Sequence, residues 1–223
     1  MDVCVVIPTK DEGETIGELL ESIKKSGYRI LVVNSKKTTD NTPKIVREKG
    51  VELITDHGLG KGDGLRTAIE HSNADVLVFI DGDGSHIPGD IPKIVKPILQ
   101  DKADMVIASR MLGGSEELHG TTGQAFRLFA SVIITLIINY RWNVRITDSQ
   151  NGFRAIKTAV ARNLGLEANV FDIETELCAK CAKKGYRITE VPSCEHKRKK
   201  GRSNLNPLTM GHLYAWRLFK NLI

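Results

Sequence analysis

Residues 76–86 read VLVFIDGDGSH. The first five, Val76 through Ile80, form an uninterrupted apolar run of strand length, and a strand without polar alternation is one buried on both faces. The run stops at Asp81-Gly82-Asp83-Gly84-Ser85. Two carboxylates one residue apart at the mouth of a buried strand repel each other unless a cation sits between them. Oxygen ligands of this kind suit Mg²⁺ or Mn²⁺, held by one or two carboxylates and completed by phosphate oxygens. Asp81, Asp83 and Ser85 are therefore the candidate metal ligands, and the flanking glycines leave room for a bulky ligand. An acidic turn closing a strand reads the same in isolation, so the surrounding chain decides.

On the N-terminal side, residues 3–7, 29–33 and 51–55 are further apolar strands, and residues 105–108 follow as a fifth. Helical patterns lie between them. Asp11-x-x-Glu14 resembles a capping pattern ahead of Ile16, Leu19, Leu20 and Ile23, and Pro43 sits at a first helical position after Asp40 or Thr42. Leu65, Ala68 and Ile69, then Ile91, Ile94, Val95, Ile98 and Leu99, mark two more helices. Five strand–helix alternations in about a hundred residues predict a doubly wound, mostly parallel α/β sheet, with its ligand site beyond the C-terminal strand ends. The polar loops 8–12, 34–40, 58–64 and 81–85 all lead from strand to helix, so they converge on that edge. The absence of GxGxxG after the first strand argues against a dinucleotide redox site. The GLGKGDG turn offers N–H groups, Lys61 and Arg66 to a phosphate, or serves only as a loop former.

The second half changes character. The 223-residue chain is 41% hydrophobic with a formal charge of +5. From Tyr186 onward basic residues exceed acidic ones by six, leaving the rest near neutral, so the anionic partner is local. Residues 128–140 are uncharged and mostly apolar, flanked by Arg127, Arg141 and Arg145. That run is shorter than the roughly 20 residues a membrane-spanning helix needs; it reads either as a buried core helix or as a helix lying in a membrane interface. Asp172 caps a predicted helix carrying Glu174, and residues 187–191 form a last strand. The HKRKKGRSN run and a segment with Leu208, Met210, Leu213, Tyr214, Trp216, Leu218 and Phe219 favour a peripheral membrane surface. No secretory signal pattern opens the chain. Cys4, Cys178, Cys181 and Cys194 fit reduced thiols in a cytoplasmic protein. A zinc site at Cys178, Cys181, Cys194 and His196 is disfavoured, because Ile173, Leu177 and Cys181 share a helical face.

Taken in order, IPTKDE, IDGDGSHIP, Ser109-Arg110, DSQNGFRA (148–155), FDIETEL leading to EVP, and the pattern at Arg198, Gly201 and Ser203 resemble the family 2 glycosyltransferases of GT-A fold. Within that family the nearest likeness is to the dolichyl-phosphate mannose and glucose synthases. The resemblance spans nearly the whole chain. It implies one domain over residues 1–196, with a nucleotide-sugar half (1–110) and an acceptor half (111–196), followed by a basic loop and amphipathic helix (197–223). It implies an enzyme at the cytoplasmic face of a membrane, taking a nucleotide sugar and a polyprenyl or dolichyl phosphate. GDP-mannose is the first donor it suggests, then UDP-glucose or UDP-N-acetylglucosamine. By correspondence Asp83 binds the metal, with Asp81 a further metal or sugar ligand. Pro8, Thr9, Glu12, Asn34, Asp40, Lys61 and Arg66 face the nucleotide, and Arg110, Arg198 and Arg202 face phosphates. One departure stands out. Where the family carries an acidic pair after the second strand, this chain has Asn34-Ser35 in a loop one residue longer, and Asp40 alone is kept.

A phosphate monoester, with a second pKa of about 6, needs positioning more than deprotonation. Direct displacement with inversion is therefore expected, with arginines gripping phosphate and Asp148 contacting the sugar or acting as base. Rival readings are a sugar nucleotidyltransferase, which wants a glycine- and base-rich turn after the first strand, and a binding module without transfer. The basic run has the charge for nucleic acid but no recognised fold around it, so no nucleic-acid partner is expected. A homo-oligomer or a membrane-anchoring subunit remains open.

Overall fold

The computed structural model describes residues 1–116, 122–198 and 216–221. Among them, strands β1 (Val3–Thr9), β2 (Arg29–Asn34), β3 (Glu52–Thr55), β4 (Val76–Phe79), β5 (Met105–Ser109), β6 (Arg154–Lys157) and β7 (Ile188–Pro192) form one sheet, ordered β3-β2-β1-β4-β6-β5-β7. The central strands β1, β4 and β5 are almost wholly apolar because both of their faces are covered, while the outer β3 and β7 carry polar residues and are only partly buried. Cys4, Val6, Leu31, Val33, Leu77 and Phe79 enter one core layer, while Val5, Ile7, Ile30, Val32, Val78 and Ile80 enter the other. Helices α1 (Ile16–Lys24), α2 (Thr42–Glu48) and α4 (Ile91–Leu99) cover the second layer; α3 (Lys61–His71), α7 (Thr158–Asn163) and α8 (Ile173–Lys183) cover the first. A short α5 (Arg110–Gly113) follows β5, and α6 (Thr122–Trp142) follows it.

The sheet departs from a purely parallel winding at β6, which runs antiparallel to both β4 and β5. Arg154 pairs with Phe79 and Ile107, near the C-terminal ends of those strands. The segment just before β6 therefore enters the sheet from the edge where the strand-to-helix loops gather. This is how DSQNGF, from the second half, reaches the ends of β4 and β5.

Three local expectations are corrected. Asp11 does not cap α1, which begins five residues later; it sits at φ +57°, and its Oδ1 accepts the Thr39 N–H (2.7 Å) and Asp40 N–H (3.3 Å). Asp172 occupies the N-cap of α8 without a capping bond, because its carboxylate pairs with Arg217 Nε at 2.6 Å. The apolar run at 128–140 belongs to a longer helix of 21 residues, α6, whose apolar window has a mean hydropathy of 1.4 and is only 17% buried. By length and composition it could cross a membrane, and it is not a buried core helix. Ser131, Thr135 and Ile138 face inward, while Phe126, Phe129, Ile133, Leu136 and Tyr140 form an exposed apolar stripe.

Candidate active site

Asp81 and Asp83 sit beyond β4, each matched by a cation from a distant part of the chain. Lys61 Nζ, from the first turn of α3, lies 2.6 Å from Asp81 Oδ1 and 2.8 Å from Glu174 Oε1 on α8. Burial alone would push Asp81 up and Lys61 down. Their mutual attraction outweighs it, with help from His86 on Asp81 and from Glu174 on Lys61, so Asp81 is held well below the usual carboxylate range and Lys61 above its ordinary value. His86 Nε2 stands 3.6 Å from Asp81 Oδ2, and its ring lies against Phe153. Gly152 closes this corner: a Cβ there would come 2.7 Å from Lys61 Nζ and 2.8 Å from Asp81 Oδ2, so a side chain would part the pair.

Asp83 is oriented by its neighbour. Its Oδ1 accepts the Ser85 N–H (3.0 Å) and hydroxyl (2.7 Å), and Arg198 Nη2 stands 3.2 Å from its Oδ2. Ser85 thus fixes the carboxylate. Glu12 packs beside Gly82, and Thr15 donates to the Gly82 carbonyl (2.7 Å). Burial, then the Asp83 charge, pushes Glu12 up to about 7, against the pull of Arg198. Among the described residues no three His, Cys, Asp or Glu side chains gather around one point. A hard cation held by Asp81 and Asp83 would take its remaining oxygens from a phosphate ligand.

Arg110 and Asp148 form a second group. Arg110 Nε and Nη2 donate to Asp148 Oδ2 (2.7 Å) and Oδ1 (3.0 Å), and Nη1 reaches Glu195 Oε2 at 3.4 Å. Burial would raise the Asp148 carboxyl, but the Arg110 guanidinium keeps it below its ordinary range. Asp148 is fully buried, and no hydrogen bond or ion pair joins this group to Asp81 or Asp83 among the described residues. Arg154, also fully buried, donates to the carbonyls of Ser149, Asn151 and Glu174, and so ties the turn before β6 to the start of α8.

The remaining expected positions line the ends of β1 and β2. Thr9 Oγ1 donates to Asn34 Oδ1 (3.2 Å), and Pro8 lies across from Gly64. Asp40 accepts from the Gly13 N–H (2.7 Å) and from Thr42, so it staples two loops. Arg66 donates to Asn169 and does not join the Lys61 group. The glycines around Lys61 serve close packing: a Cβ on Gly62 would stand 2.4 Å from the Ala168 carbonyl oxygen. Arg202, Gly201 and Ser203, with the apolar positions 208–214, lie outside the described residues. Cys178 and Cys181 are buried in the core layer of α8.

Glu174, Glu195, Arg154 and Gly152 were not among the expected site residues. Glu174, Arg154 and Gly152 fall inside quoted motifs, but periodicity does not tell which side chain meets which across the edge. Glu195 carries no motif.

Residues 4–165 match the profile of Glycosyl transferase family 2, and the chain belongs to that family. It is accordingly a glycosyltransferase. An uncharacterised protein of Methanocaldococcus jannaschii is 32% identical over 198 residues, 86% of this chain and 80% of that one. The UDP-N-acetylglucosamine–dolichyl-phosphate N-acetylglucosaminyltransferase of Methanococcus voltae is 27% identical, over 85% of this chain and 84% of its own. The fold superposes on glucosyl-3-phosphoglycerate synthase from Mycobacterium tuberculosis, in complex with Mn²⁺, UDP and phosphoglyceric acid. The TM-score is 0.76 at 20% identity, over 99% of this chain and 78% of that one, which is the GT-A arrangement.

Proposed function

We propose that the chain moves a hexose from a nucleotide sugar to a polyprenyl phosphate at a membrane surface, by direct displacement with inversion. The observation that carries this reading is the matching of Asp81 and Asp83, at the mouth of β4, by Lys61 from α3 and Arg198 from the segment after β7. One edge thus mixes the acids that hold a divalent cation with the bases that hold phosphate. The Methanococcus relative, named for transfer to dolichyl phosphate, supports the acceptor class. The Mn²⁺ in the fold relative supports a divalent cation.

When bound, Mg²⁺ or Mn²⁺ would supply Lewis-acid stabilisation of the leaving diphosphate. Asp83 and Asp81 are the residues to hold it, with Ser85 orienting Asp83. Lys61 and Arg198 lend positive charge where the diphosphate separates. Asp148 takes the Nε–Nη2 fork of Arg110 and orients the guanidinium, leaving its outer N–H groups for a phosphate. This positioning role replaces the base or sugar contact expected for Asp148. The acceptor is already largely dianionic at neutral pH, so no side chain needs to remove its proton. Residues 1–110 then serve the donor and 111–196 the acceptor. The exposed stripe of α6, Trp216 and Phe219, and the basic run seat the enzyme peripherally on the cytoplasmic face.

Proton NMR of the product made from an α-linked donor tests the displacement. A β-anomeric coupling in the glycosyl phospholipid is expected, and an α-linked product would refute direct displacement.

A further inference from the structure

The two carboxylates at Lys61 Nζ differ in access. Asp81, 2.6 Å away in the loop after β4, has a side chain 25% exposed, while that of Glu174, 2.8 Å away on α8, is 5% exposed. A ligand arriving from solvent therefore reaches Asp81 and not Glu174. Glu174 is also tied to the element that carries the lysine. Its backbone carbonyl accepts from Arg154 Nη1 (3.3 Å). Two residues on, Glu176 Oε2 accepts the Glu167 and Ala168 N–H groups (3.0 and 2.8 Å), and the Asp63 N–H of α3 donates to the Asn169 carbonyl (3.1 Å). Residues 167–169 thus join the first turn of α8 to the first turn of α3. Glu174 and Lys61 belong to that frame, whereas Asp81 comes from the loop after β4.

The exposed acid has two claims on it. Asp81 is a candidate ligand for the divalent cation, and a divalent cation and an ammonium drawn to one carboxylate repel each other. With Asp81 as its only partner, Lys61 would either hold that carboxylate against the cation or be left as an unpaired buried charge, which is costly. We infer that Glu174 is a positioning residue that retains Lys61 at the site when the cation takes Asp81, so that one carboxylate serves the cation and the other the lysine. The inference rests on the proposed role of Asp81 and Asp83 as cation ligands. Asp81, Glu174 and Lys61 together carry one net negative charge, so Glu174 sets the attraction of the site for a cation that it does not touch.

Mn²⁺ titrated into the full chain, with UDP or GDP present and water-proton relaxation as the signal, reads the bound cation without turnover. Glu174→Gln keeps the shape and an amide oxygen for Lys61 but removes the charge, so the ammonium draws on Asp81 alone. Mn²⁺ binding is expected to weaken by about tenfold or more in this variant. Lys61→Met combined with E174Q restores the net charge and frees Asp81. Mn²⁺ affinity in the double variant is expected to return to within about threefold of wild type. A merely structural Glu174 would not be rescued by a second substitution in the same cluster. Wild-type affinity in E174Q, or a double variant still weakened by about tenfold, would overturn the inference and leave the cation reading standing. A wild type that binds no Mn²⁺ with either nucleotide would overturn both.

Discussion

Lys61 is held between two carboxylates, and Asp148 lies under one guanidinium; these are the two ion-paired groups of the candidate site. Both are buried, so removing one partner strands the other. Asp148→Asn is expected to destabilise the fold by about 3–5 kcal/mol at neutral pH, the range for breaking a buried pair. Because the folded-state pKa of Asp148 is depressed, its contribution is present above the unfolded value of about 4 and is lost as pH falls through the folded one. Chemical denaturation should therefore show wild type and variant converging in acid; a gap that widens as pH falls would contradict the ion pair. Gly152→Ala forces Lys61 and Asp81 apart through the flexible ends of their side chains. It should cost about tenfold or more in kcat/KM, equivalent to about 1.4 kcal/mol, while the melting temperature changes little. Full activity in this variant would separate the Lys61–Asp81 pair from catalysis. Of these residues, Asp81, Asp83, Lys61, Arg110 and Asp148 were legible from charge and motif. Their partners Glu174 and Glu195 were not, because each meets its cation from a loop or helix far along the chain.

At the scale of elements, the strands were the readable part, since a strand buried on both faces leaves a run of apolar residues that few other structures require. Helix starts were harder. Asp11 and Asp172 look like caps by position, yet each carboxylate finds a stronger remote partner, Thr39 and Asp40 in one case and Arg217 in the other. α6 was underestimated because its first turns carry Gly123, Gln124 and Arg127, which interrupt an apolar run without interrupting a helix. Its exposed stripe has an expected consequence. Phe129→Asp with Leu136→Asp should abolish co-sedimentation with anionic vesicles while leaving turnover of a short, water-soluble prenyl phosphate intact. Undiminished vesicle binding would remove α6 from the membrane contact.

At the scale of the molecule, the two halves of the chain are joined where β6 runs backwards into the sheet. That single reversal brings DSQNGF from the second half to the ends of β4 and β5, against Asp81 and Lys61 from the first. An alternating pattern of strands and helices reveals the parallel half but not the reversal, since a short strand carries no mark of its direction. The C-terminal segment closes the arrangement: Arg217 reaches Asp172 and Glu176 on α8, the helix whose Glu174 holds Lys61. The exposed residues Trp216 and Phe219 are thereby anchored to the helix that also meets Lys61. A partition assay tests the proposed transfer most directly. Wild type and Asp83→Ala are incubated with Mg²⁺ or Mn²⁺, a short polyprenyl phosphate and each of several labelled nucleotide sugars. Label is expected in the organic phase with wild type and metal, and none with Asp83→Ala or after chelation. Nucleotide binding without transfer from any donor, or transfer that survives the loss of Asp83, would contradict it.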